Sequence, residues 1–216
     1  MENILYLGSK SQARRQLLED AQINFTTVPQ DADETQCAVS CSLKQTVETI
    51  ALYKMEHVIL PSLRHGTKVP AQDERDIGET CFVLTADTLT QNSDGCLCGK
   101  PKDRADAIKM IKSARKGAQV GTAFCVDRRV WRDDHWKVFK RIQGYAIGQY
   151  ELNIPDEWVD IYLDKSFSAS SSGAIAIEVY GAQFLKTVNG SHSAIVGLPM
   201  FEVREALEEV GFFAFL

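Results

Sequence analysis

Apolar residues recur along this chain with a strand period in some stretches and a helix period in others. The order of the two predicts an α/β fold. Residues 4–7 form a short apolar strand, and 11–21 follow as a helix with Leu17, Leu18 and Ala21 on one side and Arg14 and Arg15 near its start. Residues 25–28 give a second strand, so the chain opens as β-α-β, the unit of a sheet containing parallel pairs. A longer helix is expected over 42–59, where Val47, Ile50, Ala51, Val58 and Ile59 recur at helical spacing with Lys54 and Glu56 interleaved. Residues 60–80 are polar, aperiodic and carry Pro and Gly. They read as a surface insertion inside one domain spanning 1–216.

The strand CFVLTADTLT at 81–90 is apolar in its first half and polar where it ends. After a turn at 92–95, CLCGKPKDR leads into an amphipathic helix bearing Ala105, Ala107, Ile108, Ile111 and Ala114. Two β-rich runs, 119–131 and 136–145, flank the charged turn 132–135 and predict a hairpin. Beyond them lie a helix over 155–163 with Pro155 in its first turn and a small, flexible SFSASSSGA stretch. Strands over 174–180 and 183–188, a tight turn at Asn189-Gly190 and a helix begun near Pro199 complete the pattern. The expectation is a mixed sheet flanked by helices.

Composition narrows the function classes. A chain of 216 residues, 44% hydrophobic and 25% charged, builds one sizeable core of the soluble globular kind. A net charge of −5 argues against a general nucleic-acid binder, so any polyanion must meet a local basic site. No apolar run approaches the ~20 residues of a membrane span, and MENILYLG lacks the layout of a signal peptide. The six cysteines form no CxxC pair and come with four scattered histidines, which argues against zinc and for reduced thiols in a cytoplasmic protein. Cys96 and Cys98 share a face of a strand, where a structural role is expected.

Four stretches carry candidate chemistry. LGSKSQARRQLL turns from strand to helix, and free N–H groups at a helix start attract anions that Ser9, Lys10, Ser11 and Arg14 can face. It is not a P-loop: Ser9 stands where the glycine before lysine belongs, and Ile4 occupies the upstream glycine position. Lys10 is therefore expected to be incidental. Asp87 arrives where its strand turns polar, and a carboxylate on a buried strand costs free energy unless paired, hydrogen-bonded or metal-bound. Pro101 restricts Lys100 to an extended backbone that aims its ammonium. Asp33 and Glu34 offer hard oxygens to Mg²⁺. Each has a plainer reading as a helix start, a turn cap, a surface turn or a solvated loop.

Their joint order resembles the Maf (septum-formation-protein-like) family of nucleoside triphosphate pyrophosphatases. The matching stretches are LGSKSQARRQLL, Asp33-Glu34, TADTLT with GKPKDRADAIKMI close behind, and VNGSHSAIVGLPMFEVREAL. The resemblance implies a long twisted mixed sheet with two lobes around a nucleotide cleft, similar to inosine triphosphate pyrophosphatases. It also implies a homodimer, a divalent cation (Mg²⁺ or Mn²⁺), and hydrolysis of a nucleoside triphosphate, including modified or noncanonical ones, to monophosphate and pyrophosphate. The family's proton acceptor falls on Asp87, with Glu34 and Asp87 at the metal and Ser9, Arg14, Lys54 and Lys100 handling phosphates.

The base-selecting positions fall on Ala13, Thr88 and Glu178. The branch acting on dTTP and UTP tends to have Arg, Thr and Gln there, and the branch acting on 7-methyl-GTP has Trp, Gln and Glu. This chain mixes the two, and Glu178 leans toward purine N–H donors. Two departures stand out: Gln12 replaces a proline frequent at the helix start, and SFSASSS lengthens the stretch between Asp164-Lys165 and Glu178. The rival readings are a catalytically weak nucleotide-binding regulator of cell division or stress response, and a P-loop-type kinase lacking its glycines.

Overall fold

In the computed structural model, which describes residues 3–37, 42–62, 79–115 and 117–213, the opening β-α-β unit forms as expected. Strand β1 (Leu5–Leu7) runs into α1 (Gln12–Asp20), and β2 (Phe25–Thr27) pairs with β1 in parallel. Gly8, at the exit of β1, is close-packed: a Cβ there would sit 2.9 Å from both Thr85 Cγ2 and Val58 Cγ2. Ser11 caps α1, its hydroxyl accepting the Arg14 N–H at 3.4 Å.

Helix α2 (Leu43–Glu56) buries Leu43, Val47, Ile50, Ala51, Lys54 and Met55. These positions form one stripe at helical spacing, and Lys54 lies on it rather than between apolar positions. The helix stops before 59 because Val58 leaves to bridge Gln30 and the Ile59 N–H donates to Pro29 O at 2.9 Å. The chain then enters residues 63–78, so most of the expected insertion lies outside the described residues, as does Cys41.

Strand β3 (Thr80–Asn92) is the hinge of the sheet. It pairs with β1 in parallel on one side, and with β4 (Leu97–Cys98) and β5 (Ala118–Arg132) antiparallel. Helix α3 (Arg104–Ala114) separates β4 from β5, and β5 turns through the expected hairpin into β6 (His135–Leu152). Strand β7 (Leu185–Gly190) covers the far edge, giving a seven-stranded mixed sheet of order β2-β1-β3-β5-β6-β7 with β4 off β3. Two apolar clusters divide the fold into lobes. One joins Leu5, Leu7, Leu18 and Leu84 to α6 (Met200–Glu209), and the other joins α3, α4 (Val159–Lys165), Tyr150, Tyr162 and Ile177.

The sequence pattern misled at three places. Residues 174–180 are no strand: Ile175, Ala176 and Ile177 are buried, but Tyr162 Oη donates to Ala176 O at 2.9 Å and accepts its N–H at 2.7 Å, taking the place of a ladder. A 3-10 turn over Val179–Phe184 follows. The expected helix over 155–163 starts as a 3-10 turn, Asp156–Trp158, and becomes helical only at Val159. The serine-rich stretch, expected to be flexible, forms two 3-10 turns held by its own hydroxyls. One short helix, α5 (His192–Val196), was not anticipated. Among the described residues no helix is long and apolar enough to cross a membrane.

A buried ionic cluster fixes the end of α2 to the sheet. Asp127, fully buried on β5, accepts from Arg129 Nε at 2.9 Å and from Arg141 Nε and Nη2 at 2.6 and 2.8 Å. Arg129 Nη2 also donates to Met55 O at 2.9 Å, and Arg141 pairs with Glu56. Removing one partner of a buried pair strands the other charges. Asp127→Asn is therefore expected to cost about 3 kcal/mol in urea denaturation. An unchanged midpoint would show that the cluster does not hold α2.

Candidate active site

The parallel part of the sheet ends at Leu7, opposite Leu84, while β3 continues for eight more residues. Asp87 thus lies inside β3, but beyond the carboxyl end of its parallel neighbour, where open α/β sheets bind ligands. The turn after β1 and the start of α1 bend away, opening a cavity of about 680 Å³. Nine of the residues singled out in the sequence line it: Ser9, Ala13, Arg14, Glu34, Lys54, Asp87, Thr88, Lys100 and Glu178. Asp33 does not. It caps the 3-10 turn Glu34–Gln36, accepting from the Thr35 N–H and hydroxyl and from Gln36, which holds its carboxyl below the usual carboxylate range.

The centre is an ion-paired triad. Lys54 Nζ lies 2.7 Å from Asp87 Oδ1 and 2.9 Å from Glu34 Oε1, with the Lys54 and Asp87 side chains only 10% and 9% exposed. Burial pushes the Asp87 carboxyl up, and Lys54 and Arg14 only partly offset it. Its other oxygen, Oδ2, is buried without a hydrogen-bond partner among the described residues. An orphaned carboxylate oxygen costs free energy, and this one belongs to a residue that lines the cavity.

Arg14 frames the opposite wall. Its Nε donates to Gly197 O at 2.7 Å, Nη1 to Ser9 Oγ at 3.1 Å and Nη2 to Thr88 Oγ1 at 3.0 Å. Of the five guanidinium N–H groups, three are engaged in this way and two remain for a ligand. Gly197, which ends α5, has φ +128° and so presents its carbonyl in a conformation that favours glycine. Thr88 Oγ1 also meets Thr122 Oγ1 at 2.9 Å across the β3–β5 pair, and Thr122 donates to Ala194 O at 2.7 Å. Thr122 and Gly197 were missed because their partners are remote in sequence. The periodicity 47, 50, 51, 54 could have revealed Lys54 as a charge on a buried stripe.

Lys10, set aside for want of a P-loop register, lines the cavity, as does Arg15. The described charged residues around it are then five cations (Lys10, Arg14, Arg15, Lys54, Lys100) against three carboxylates (Glu34, Asp87, Glu178). The cavity is basic inside an acidic protein, the local site that a polyanion requires. Glu178 is pushed up by burial. The serine-rich segment closes one side: Ser172 Oγ accepts the Thr90 N–H at 2.8 Å and donates to Cys98 O at 2.6 Å. The Gly173 N–H donates to Gly99 O at 2.9 Å, tying the segment to the Gly99–Lys100 corner. Asp164 instead pairs with Arg104, at 2.7 Å.

The family model of Maf-like proteins matches residues 4–210. The chain is 33% identical over 207 residues to a dTTP/UTP pyrophosphatase of Acholeplasma laidlawii, covering 95% of this chain and 96% of that protein. It is 28% identical over 214 residues to a dTTP/UTP pyrophosphatase of Ruminiclostridium cellulolyticum, covering 97% of each. A nucleoside triphosphate pyrophosphatase of Chlamydia pneumoniae is 29% identical over 208 residues, covering 95% of this chain and 93% of that one.

Because Ser172 Oγ bridges Thr90 N and Cys98 O, Ser172→Ala is expected to loosen this wall at a cost of about 1–3 kcal/mol. Amide exchange at Thr90 should quicken while the far-UV spectrum stays unchanged. Unaltered protection of that amide would show the wall to be held by other contacts.

Proposed function

The chain belongs to the Maf-like family, and on that premise we propose that it is a nucleoside triphosphate pyrophosphatase, releasing monophosphate and pyrophosphate. One observation carries the reading. A buried carboxylate, held by Lys54 on one oxygen and bare on the other, stands on the wall of a cavity rich in cations. The names of the relatives support it, and the cavity lies within the usual size of small-molecule sites.

Asp87 takes the proton of a water that attacks the α-phosphorus. Its burial raises its basicity, and Lys54 keeps it charged and oriented. Arg14, Lys100 and the N-terminal end of α1 neutralise the triphosphate. Glu34 and Asp87 Oδ2 are hard oxygens that suit Mg²⁺ or Mn²⁺. Among the described residues no group of three or more His, Cys, Asp or Glu side chains forms a cage, so waters and phosphate oxygens must complete the shell, as is usual for Mg²⁺. Bound there, the cation would offset charge developing on the phosphoryl oxygens. Family membership also leads us to propose a cytoplasmic homodimer.

Purified protein is expected to release pyrophosphate from at least one of ATP, GTP, UTP, dTTP, ITP and 7-methyl-GTP with Mg²⁺ or Mn²⁺. Binding without release would favour the regulator reading, and ADP with orthophosphate would favour a kinase-like enzyme. Asp87→Asn should retain its circular dichroism and lose about 10²–10⁴ in kcat, as for loss of a general base. Full activity in that variant would remove Asp87 from the mechanism.

Base choice is assigned to Glu178. Ionised, it accepts from purine N–H groups; protonated, it can also donate to a pyrimidine carbonyl, as glutamine does. Its pKa is raised by burial, so the donating form persists to higher pH than for an ordinary glutamate. The ratio of purine to dTTP turnover should therefore rise with pH through the Glu178 titration, and lose that dependence in Glu178→Gln. A ratio flat with pH in the native enzyme contradicts this role.

A further inference from the structure

We infer that Phe167 is the stacking platform for the nucleotide base, a specificity element supplied by the serine-rich segment; the inference rests on the pyrophosphatase reading only for the identity of the ligand as a nucleotide. Among the described residues lining the cavity, Phe167 is the sole aromatic side chain. It is 40% exposed, an apolar surface that gains free energy when a ligand covers it.

The ring stands on a fixed seat. The Phe167 carbonyl accepts three hydrogen bonds: from Ser170 N at 3.0 Å, Ser170 Oγ at 2.9 Å and Ser171 Oγ at 3.0 Å. Just before it, Ser166 Oγ donates to Tyr162 O at 2.6 Å and lies 2.8 Å from Ser168 Oγ, whose hydroxyl it can accept. Downstream, Ser172 and Gly173 fasten the segment to β3 and to the Gly99–Lys100 corner. The serines thus do not make a loose linker. Their hydroxyls hold two 3-10 turns, beside which Phe167 presents an exposed aromatic side chain.

That placement answers a deficit elsewhere in the cavity. Ala13 provides neither a guanidinium nor an indole to grip a base, and the cations Arg14, Lys54 and Lys100 suit phosphates. Every base has a π-face, so stacking on Phe167 secures the base without choosing it, and the carboxyl of Glu178 reads its edge. Phenylalanine has two χ angles, so little conformational freedom is lost on binding.

The test uses calorimetric titration of the full-length protein with AMP, GMP, UMP and dTMP, and with inorganic tripolyphosphate. Phe167→Ala is expected to weaken the tightest monophosphate by about 5- to 100-fold, the range for losing one base–aromatic stack. Tripolyphosphate affinity should stay within about twofold. Phe167→Leu, which keeps apolar bulk for folding, should lose affinity in the same direction, and Phe167→Tyr should restore it. Unchanged monophosphate binding in the Ala and Leu variants overturns the inference, as does an equal loss for monophosphate and tripolyphosphate. Native protein that binds none of the four monophosphates overturns it too. Failure of the pyrophosphatase reading is separate: nucleotide binding that depends on Phe167, with no pyrophosphate released.

Discussion

The buried pair between Lys54 and Asp87 is the interaction on which the rest of the site depends. Burying two opposite charges costs several kcal/mol per ion, and attraction recovers this only with good geometry. The geometry comes from ordinary packing. Helix α2 sets Val47, Ala51 and Met55 against β3 and β5, and Thr85 Oγ1 donates to Ala51 O at 2.8 Å, which fixes the helix along the strand. One turn past Ala51, the same stripe delivers Lys54 to Asp87. The pairing is incomplete, because Asp87 Oδ2 has no partner among the described residues. Stability alone gives no reason to leave that oxygen bare.

The change of strand direction in the sheet decides where this pair opens to solvent. Where β1 ends, β3 loses its parallel neighbour and continues beside β5, so one strand serves both lobes. Arg14 then closes the gap between α1, β3 and the end of α5 through Ser9, Thr88 and the Gly197 carbonyl. The guanidinium is thus a structural clip as well as a charge. Lysine could not replace it, since a single ammonium cannot reach three acceptors set out in a planar fork.

Much of this was legible in sequence wherever the determining interactions are local. The β-α-β opening, the 119–145 hairpin and the closing helix follow from period and turn chemistry, and they formed. The site residues drawn from short motifs, Asp33 excepted, also came to line one cavity, since each motif sits at the edge of an element whose direction is fixed by its neighbours. Residues 174–180 were illegible because a tyrosine hydroxyl from α4 takes the hydrogen bonds that a strand would have made. The serine-rich segment looked flexible because its order comes from hydroxyl bonds to β3 and β4, which composition does not encode. Lys10, expected to be incidental for want of a P-loop register, lies on the cavity wall, and Thr122 is visible only once the β3–β5 register is known.

The central claim is that the cavity places Asp87 and a water against the α-phosphorus of a nucleoside triphosphate. Hydrolysis in ¹⁸O-labelled water tests it most directly, with both products analysed by mass spectrometry. The account predicts one ¹⁸O in the nucleoside monophosphate and none in the pyrophosphate. Label in the pyrophosphate instead would place the attack at the β-phosphorus and contradict the assignment of Asp87 to the α-phosphoryl group.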